Sequence, residues 1–245
     1  MTKLEEFYQN DADRTDVIIR SFYEKYKEFI NCDNLPVFII QYVDGREDET
    51  IYYQILNVVY HEPIILFCNI AVIDFSSYDF QVLLVHEFTH IYDYYIQKEK
   101  YDFDFIRNNF SMYSEYHAVQ IETLYQFNLI KNISDEINIQ DKDKLSIEFI
   151  KKISRYYDNF YLSKQDDTKI NFIRAIKSYL YASGAISIAN QIFNLNIEME
   201  DFFEPHKELM HEAIKLLWSV KYNEIPSKDI LTKIGEINQQ ITYIE

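Results

Sequence analysis

The chain has 245 residues, a hydrophobic content of 48% with 17% aromatic, and a formal net charge of −16. That length buries one substantial core, or a catalytic domain with a smaller appendage, and that apolar content excludes a disordered chain. The acidic balance argues against nonspecific contact with nucleic acid or an anionic membrane through a basic surface. Only 3 Gly and 4 Pro occur, which favours long helices with short connections. Two cysteines, Cys32 and Cys68, suggest no disulfide framework. The first residues carry no apolar leader, and no apolar run approaches a membrane span, so a cytoplasmic protein is expected.

In chain order, residues 12–31 read as an amphipathic helix with Val17, Ile18, Phe22, Tyr26 and Phe29 on one stripe. Residues 36–43 read as a strand followed by a turn at Asp44-Gly45-Arg46, 51–60 as a second and ambiguous strand, and 63–70 as a third. The third strand reads either as a sheet edge able to pair with an extended peptide or as an ordinary interior strand. A helix is predicted next, with Ser76 as N-cap and Asp79 completing a capping box.

That helix carries His86-Glu87-Phe88-Thr89-His90, an HExxH motif. Residues four apart share a helix face, so both imidazoles can meet one ion. Neutral imidazole nitrogen suits Zn²⁺, and a zinc-bound water of lowered pKa can lose its proton to Glu87. With 6 His in 245 residues, a chance HExxH is expected roughly 0.01 times. Leu83 and Leu84 fall near the same face, which places the polar residues beside core rather than among solvated charges.

A zinc site that works on substrate needs a third protein ligand and an open position. Glu115 is the best candidate, on a helix predicted from Ser111 to about Leu129. Ala118, three residues on, is small enough to allow close helix approach. His117 is the rival ligand, about 200° round the axis from Glu115, and is otherwise an exposed or capping histidine. Glu122 and Asp93 are candidates to hold a ligand imidazole by its other N–H, or are plain surface acids.

After Leu129 the chain turns polar over 132–143, a domain boundary by composition. Helices are predicted near 144–163, 168–193, 205–221 and 227–241, with Pro205 in a first turn and Ser227 as an N-cap. His206, His211, Tyr179 and Tyr181 are candidates to stabilise an oxyanion, each equally readable as packing or helix surface.

HExxH followed by Glu115-x-x-Ala118-x-x-Ile121 resembles the gluzincin metallopeptidases, and among them the ImmA/IrrE-type group. The residue before the second histidine is Thr89 here, where that group has Gly. The resemblance covers about residues 35–130. It implies His86, His90 and Glu115 as zinc ligands, Glu87 as general base, and limited cleavage of a specific protein.

The expected fold class is α+β and mostly helical. A zincin-like catalytic core with a small sheet spans 1–131, and an all-α region spans 132–245 and governs access to the cleft. The expected function is zinc-dependent hydrolysis of a peptide bond, endopeptidase rather than exopeptidase. The expected partner is a protein or peptide substrate, with no nucleic acid and no membrane; oligomeric state is left open. Two rivals stand beside it: a catalytically silent regulatory or binding module on a zincin scaffold, and a hydrolase of non-peptide amides. An intact Glu87 argues against the first.

Overall fold

A computed structural model describes residues 1–45, 56–59, 63–71, 78–134, 142–163, 169–200 and 206–243. The chain is α+β and mostly helical, and it groups into two compact units, Met1–Lys100 and Tyr101–Glu245.

In the first unit, α1 (Lys3–Asn10) starts at a capping box. Glu5 N donates to Thr2 Oγ1 at 3.2 Å, and Thr2 N donates to Glu5 Oε2 at 2.8 Å. Both are backbone donors that the first turn leaves without a helical partner. Helix α2 (Ala12–Ile30) follows and ends at Asn31, whose φ of 54° is the left-handed cap geometry asparagine tolerates. Its buried stripe is Ala12, Thr15, Ile19, Phe22, Tyr23 and Tyr26. That corrects the expected stripe at one end, because Val17 is 68% and Ile18 38% exposed. The 3–4 spacing from Tyr26 backwards runs through Phe22, Ile19 and Thr15, which rotates Val17 and Ile18 off the core face.

Strands β1 (Phe38–Val43), β2 (Leu56–Val59) and β3 (Ile64–Asn69) form one sheet in the order β1-β3-β2. β1 runs parallel to β3 with Phe38 opposite Ile64, and β2 runs antiparallel with Val58 opposite Leu66. β3 is therefore the interior strand, which decides between the two readings against a free edge: its backbone groups are taken on both sides. Its composition agrees, with Ile64, Leu66, Cys68 and Asn69 all buried. Helix α3 (Tyr78–Lys98) packs on α2 and β2. The expected N-cap Ser76 and parts of the turn at 44–46 and the strand at 51–60 lie outside the described residues.

Among its described residues the second unit contains helices and no strand. Helix α4 (Phe103–Asn109) is capped by Asp102, whose side chain accepts from Phe105 N at 2.8 Å. Then come α5 (Ser111–Ser134), α6 (Lys142–Ser163), α7 (Lys169–Phe193), α8 (Lys207–Trp218) and α9 (Lys228–Tyr243). The four helices predicted beyond residue 144 are α6 to α9, and the Ser227 hydroxyl accepts from Ile230 N at 3.4 Å. Pro205 and residues 135–141 of the polar segment lie outside the described residues.

Helices α5, α6 and α7 share a core. Phe127 stacks on Phe149 with centroids 3.7 Å apart, and Phe193 closes the cluster at 5.1 Å from Phe149. At Gly184, α7 comes so near α5 that a Cβ would lie 2.8 Å from the Tyr116 carbonyl oxygen. Only hydrogen fits there, so this glycine sets the distance between the two helices.

Candidate metal centre

On α3 the motif splits into two faces. Phe88 is fully buried, with ring centroids 4.7 Å from Tyr23, 5.6 Å from Tyr26, 5.7 Å from Phe38 and 6.3 Å from Phe22. The Thr89 hydroxyl donates to Val85 O at 2.7 Å and accepts from Tyr26 Oη at 3.0 Å. The Thr89 hydroxyl thus fixes the helix on α2. Burial pushes the Tyr26 phenol well above its ordinary pKa, only partly offset by the Thr89 hydrogen bond, so it remains a donor. At 100° per residue, anchoring positions 88 and 89 turns 86, 87 and 90 to the other side of the helix.

There the His86 and His90 rings meet edge to face, centroids 4.8 Å apart at 84°. His86 is 6%, Glu87 8% and His90 8% exposed. Burial raises the pKa of Cys68, on the interior strand, and the negative charge of Glu87 adds to the effect. The expected helper Asp93 is buried on the same helix, where its charge raises the phenols of Tyr26 and Tyr92 after their own burial does.

On α5, Glu115 is gripped at both oxygens. Lys177 Nζ lies 2.5 Å from Oε1, and Tyr181 Oη donates to Oε2 at 2.7 Å. Both partners come from α7, one turn apart and one turn before Gly184. His117 points elsewhere: its Nε2 lies 2.9 Å from Tyr222 O, and its ring stacks on Tyr113 at 5.4 Å. It is 4% exposed, which corrects the expectation of an exposed or capping histidine. Glu122 takes Lys152 Nζ at 2.5 Å and Tyr156 Oη at 3.3 Å, both from α6. Tyr179 donates to Glu200 O at 2.9 Å, and His206 is buried against Phe172 at 4.9 Å. Of the tyrosines singled out by sequence, Tyr181 is the one that reaches a site residue. Lys177 was missed, and the signal for it was available only as an i, i+4 pair with Tyr181.

His86, His90 and Glu115 each offer one ligand atom, and these atoms lie within 4.8 Å of one another. Two imidazole nitrogens and one carboxylate oxygen make a donor set that suits zinc and leaves one tetrahedral position for water or substrate. Comparison with protein-family models, with curated proteins and with solved structures found no match for the chain. Among the described residues, no helix is long and apolar enough to cross a membrane.

Proposed function

We propose that this chain is a zinc-dependent metallopeptidase on a zincin-like scaffold, cutting a specific protein at an internal bond. The observation that carries the reading is the convergence of His86, His90 and Glu115 on one spot, with the Glu87 carboxylate one residue from the first of them. His86 and His90 would hold the ion from α3, and Glu115 from α5. A zinc ion bound there supplies Lewis acidity, polarising a carbonyl and lowering the pKa of a coordinated water towards about 7.

The rest of the chemistry falls to Glu87. Its carboxylate takes a proton from the attacking water as the water oxygen bonds to the carbonyl carbon. It then passes that proton to the amine as the C–N bond breaks. Burial of Glu87 limits competing water and strengthens its interactions with the reacting groups. We propose a cytoplasmic setting for the reaction, a reading supported by the two cysteines, from which no disulfide framework is expected.

The test is metal content. The purified chain is expected to carry one zinc, lost on His90→Ala and on Glu115→Ala, read by elemental analysis after dialysis. Near-stoichiometric zinc in Glu115→Ala would hand the third ligand position to another residue.

A further inference from the structure

Glu115 is held by two donors of different kinds. Lys177 brings a full positive charge to Oε1, whereas Tyr181 brings a neutral hydroxyl to Oε2. The difference matters once a cation shares the carboxylate. A second positive charge repels an ammonium on the same carboxylate, but a neutral O–H dipole remains compatible with the loaded state. We propose that Tyr181 is a positioning residue of the metal centre, its hydroxyl aiming the Glu115 carboxylate at the ion. The proposal rests on the metal reading above and deepens it.

Two features of the second unit make the phenol a fixed donor. Gly184 lies three residues beyond Tyr181 on α7, and its close approach to Tyr116 O and Val119 sets how far α7 stands from α5. The register continues beyond it, where Gln120 donates to Ser187 Oγ at 2.8 Å. On its other side the Tyr181 ring meets Tyr156 edge to face, centroids 5.6 Å apart at 70°. Tyr156 is itself tied to Glu122 through its hydroxyl. The Tyr181 side chain is therefore hemmed by α6 and delivered by α7, so its hydroxyl meets Glu115 without a search over rotamers. Groups that orient a ligand in this way typically change metal affinity about 10–100-fold when removed.

The test compares zinc affinity, by competition with a chelator, in the wild-type chain, Tyr181→Phe and Tyr179→Phe. Both variants remove one hydroxyl from α7 and keep the ring, but the Tyr179 hydroxyl serves Glu200 O. Tyr181→Phe is expected to weaken zinc binding about 10–100-fold. Tyr179→Phe is expected to match the wild type. With Co²⁺ in place of zinc, the visible spectrum is expected to shift in Tyr181→Phe alone, which a loss of packing would not produce. Tight zinc binding by the wild type with no change in Tyr181→Phe overturns the positioning role and leaves the metal reading standing. An equal loss in both variants assigns the effect to packing of α7 and overturns it as well. A wild-type chain that binds no zinc overturns both readings.

Discussion

In the first unit, α3 is anchored by an aromatic cluster: Phe88 is surrounded by Phe22, Tyr23, Tyr26 and Phe38, with the buried hydroxyl pair Tyr26–Thr89 beside it. In the second, α5 is braced by charged and polar groups as well as by rings. Glu115 takes Lys177 and Tyr181, Gln120 takes Ser187, and Glu122 takes Lys152 and Tyr156. Apolar packing is tolerant of direction, so the Phe88 side can anchor α3 while its opposite side carries the buried polar residues His86, Glu87 and His90. Hydrogen bonds and ion pairs depend on direction, and they hold an isolated carboxylate such as Glu115 in one orientation. A pair of histidines on one helical turn is pre-arranged by the backbone, whereas a single long side chain must be held by its neighbours.

That contrast can be broken from either side. The largest effect is expected from Glu87→Gln, which keeps shape and burial but removes the proton acceptor. Turnover of any substrate the wild type cleaves should fall about 10²–10⁴-fold, with zinc content unchanged. Unimpaired turnover would take Glu87 out of the mechanism.

Phe88→Ala attacks the apolar anchor directly. Removing a fully buried ring is expected to cost about 3–5 kcal/mol in chemical denaturation. A loss below about 1 kcal/mol, within the usual range for tolerated core swaps, would show that the ring cluster is not what holds α3.

Gly184→Ala attacks the bracing of α5. The added methyl meets the Tyr116 carbonyl oxygen at 2.8 Å, so the helices must part. Overpacking of this kind costs about 1–3 kcal/mol. The same variant should weaken zinc binding, because α7 carries Tyr181, whose hydroxyl holds Glu115. A stability loss with unchanged zinc affinity would separate the helix spacing from the site.

The smallest effect is a pH dependence in the second unit. Burial pushes the Tyr157 phenol up to about 12, offset in part by the hydrogen bond it accepts from Glu200 N at 2.7 Å. An unfolded tyrosine ionises near 10. The unfolded chain therefore loses this proton first as pH rises, and the folded state loses stability between about pH 10 and 12. Urea midpoints at pH 9 and 11 should fall less in Tyr157→Phe than in the wild type. An identical fall would show that other groups govern the alkaline limb.

Much of this was written locally in the chain. The helical segments α2, α3, α5 and α6 to α9 follow from apolar spacing and the scarcity of Gly and Pro, and the pairing of His86 with His90 follows from one helical turn. Short α1 and α4 escaped because each depends on one cap, Thr2 or Asp102, rather than on a long periodic stripe. Which strand is interior was not legible, since Ile64 to Asn69 has the same apolar run whether it is paired on one side or two. The helical phase of α2 was also ambiguous, because Val17 and Ile18 are as apolar as the Ile19 that is buried.

Site partners divide in the same way. HExxH names its own residues because a helix repeats every 3.6 residues and brings position i beside i+4. Nothing local to Glu115 announces Lys177 and Tyr181, which lie more than sixty residues further along the chain. Their meeting depends on Gly184 letting α7 close on α5, and on Tyr156 of α6 limiting where the Tyr181 ring can turn. The sequence determined that His86 and His90 share one face of α3, because backbone periodicity alone aligns them. Tertiary structure decided which side chains hold Glu115 and which draw His117 away to Tyr222, because those contacts exist only where separate helices pack at a fixed distance.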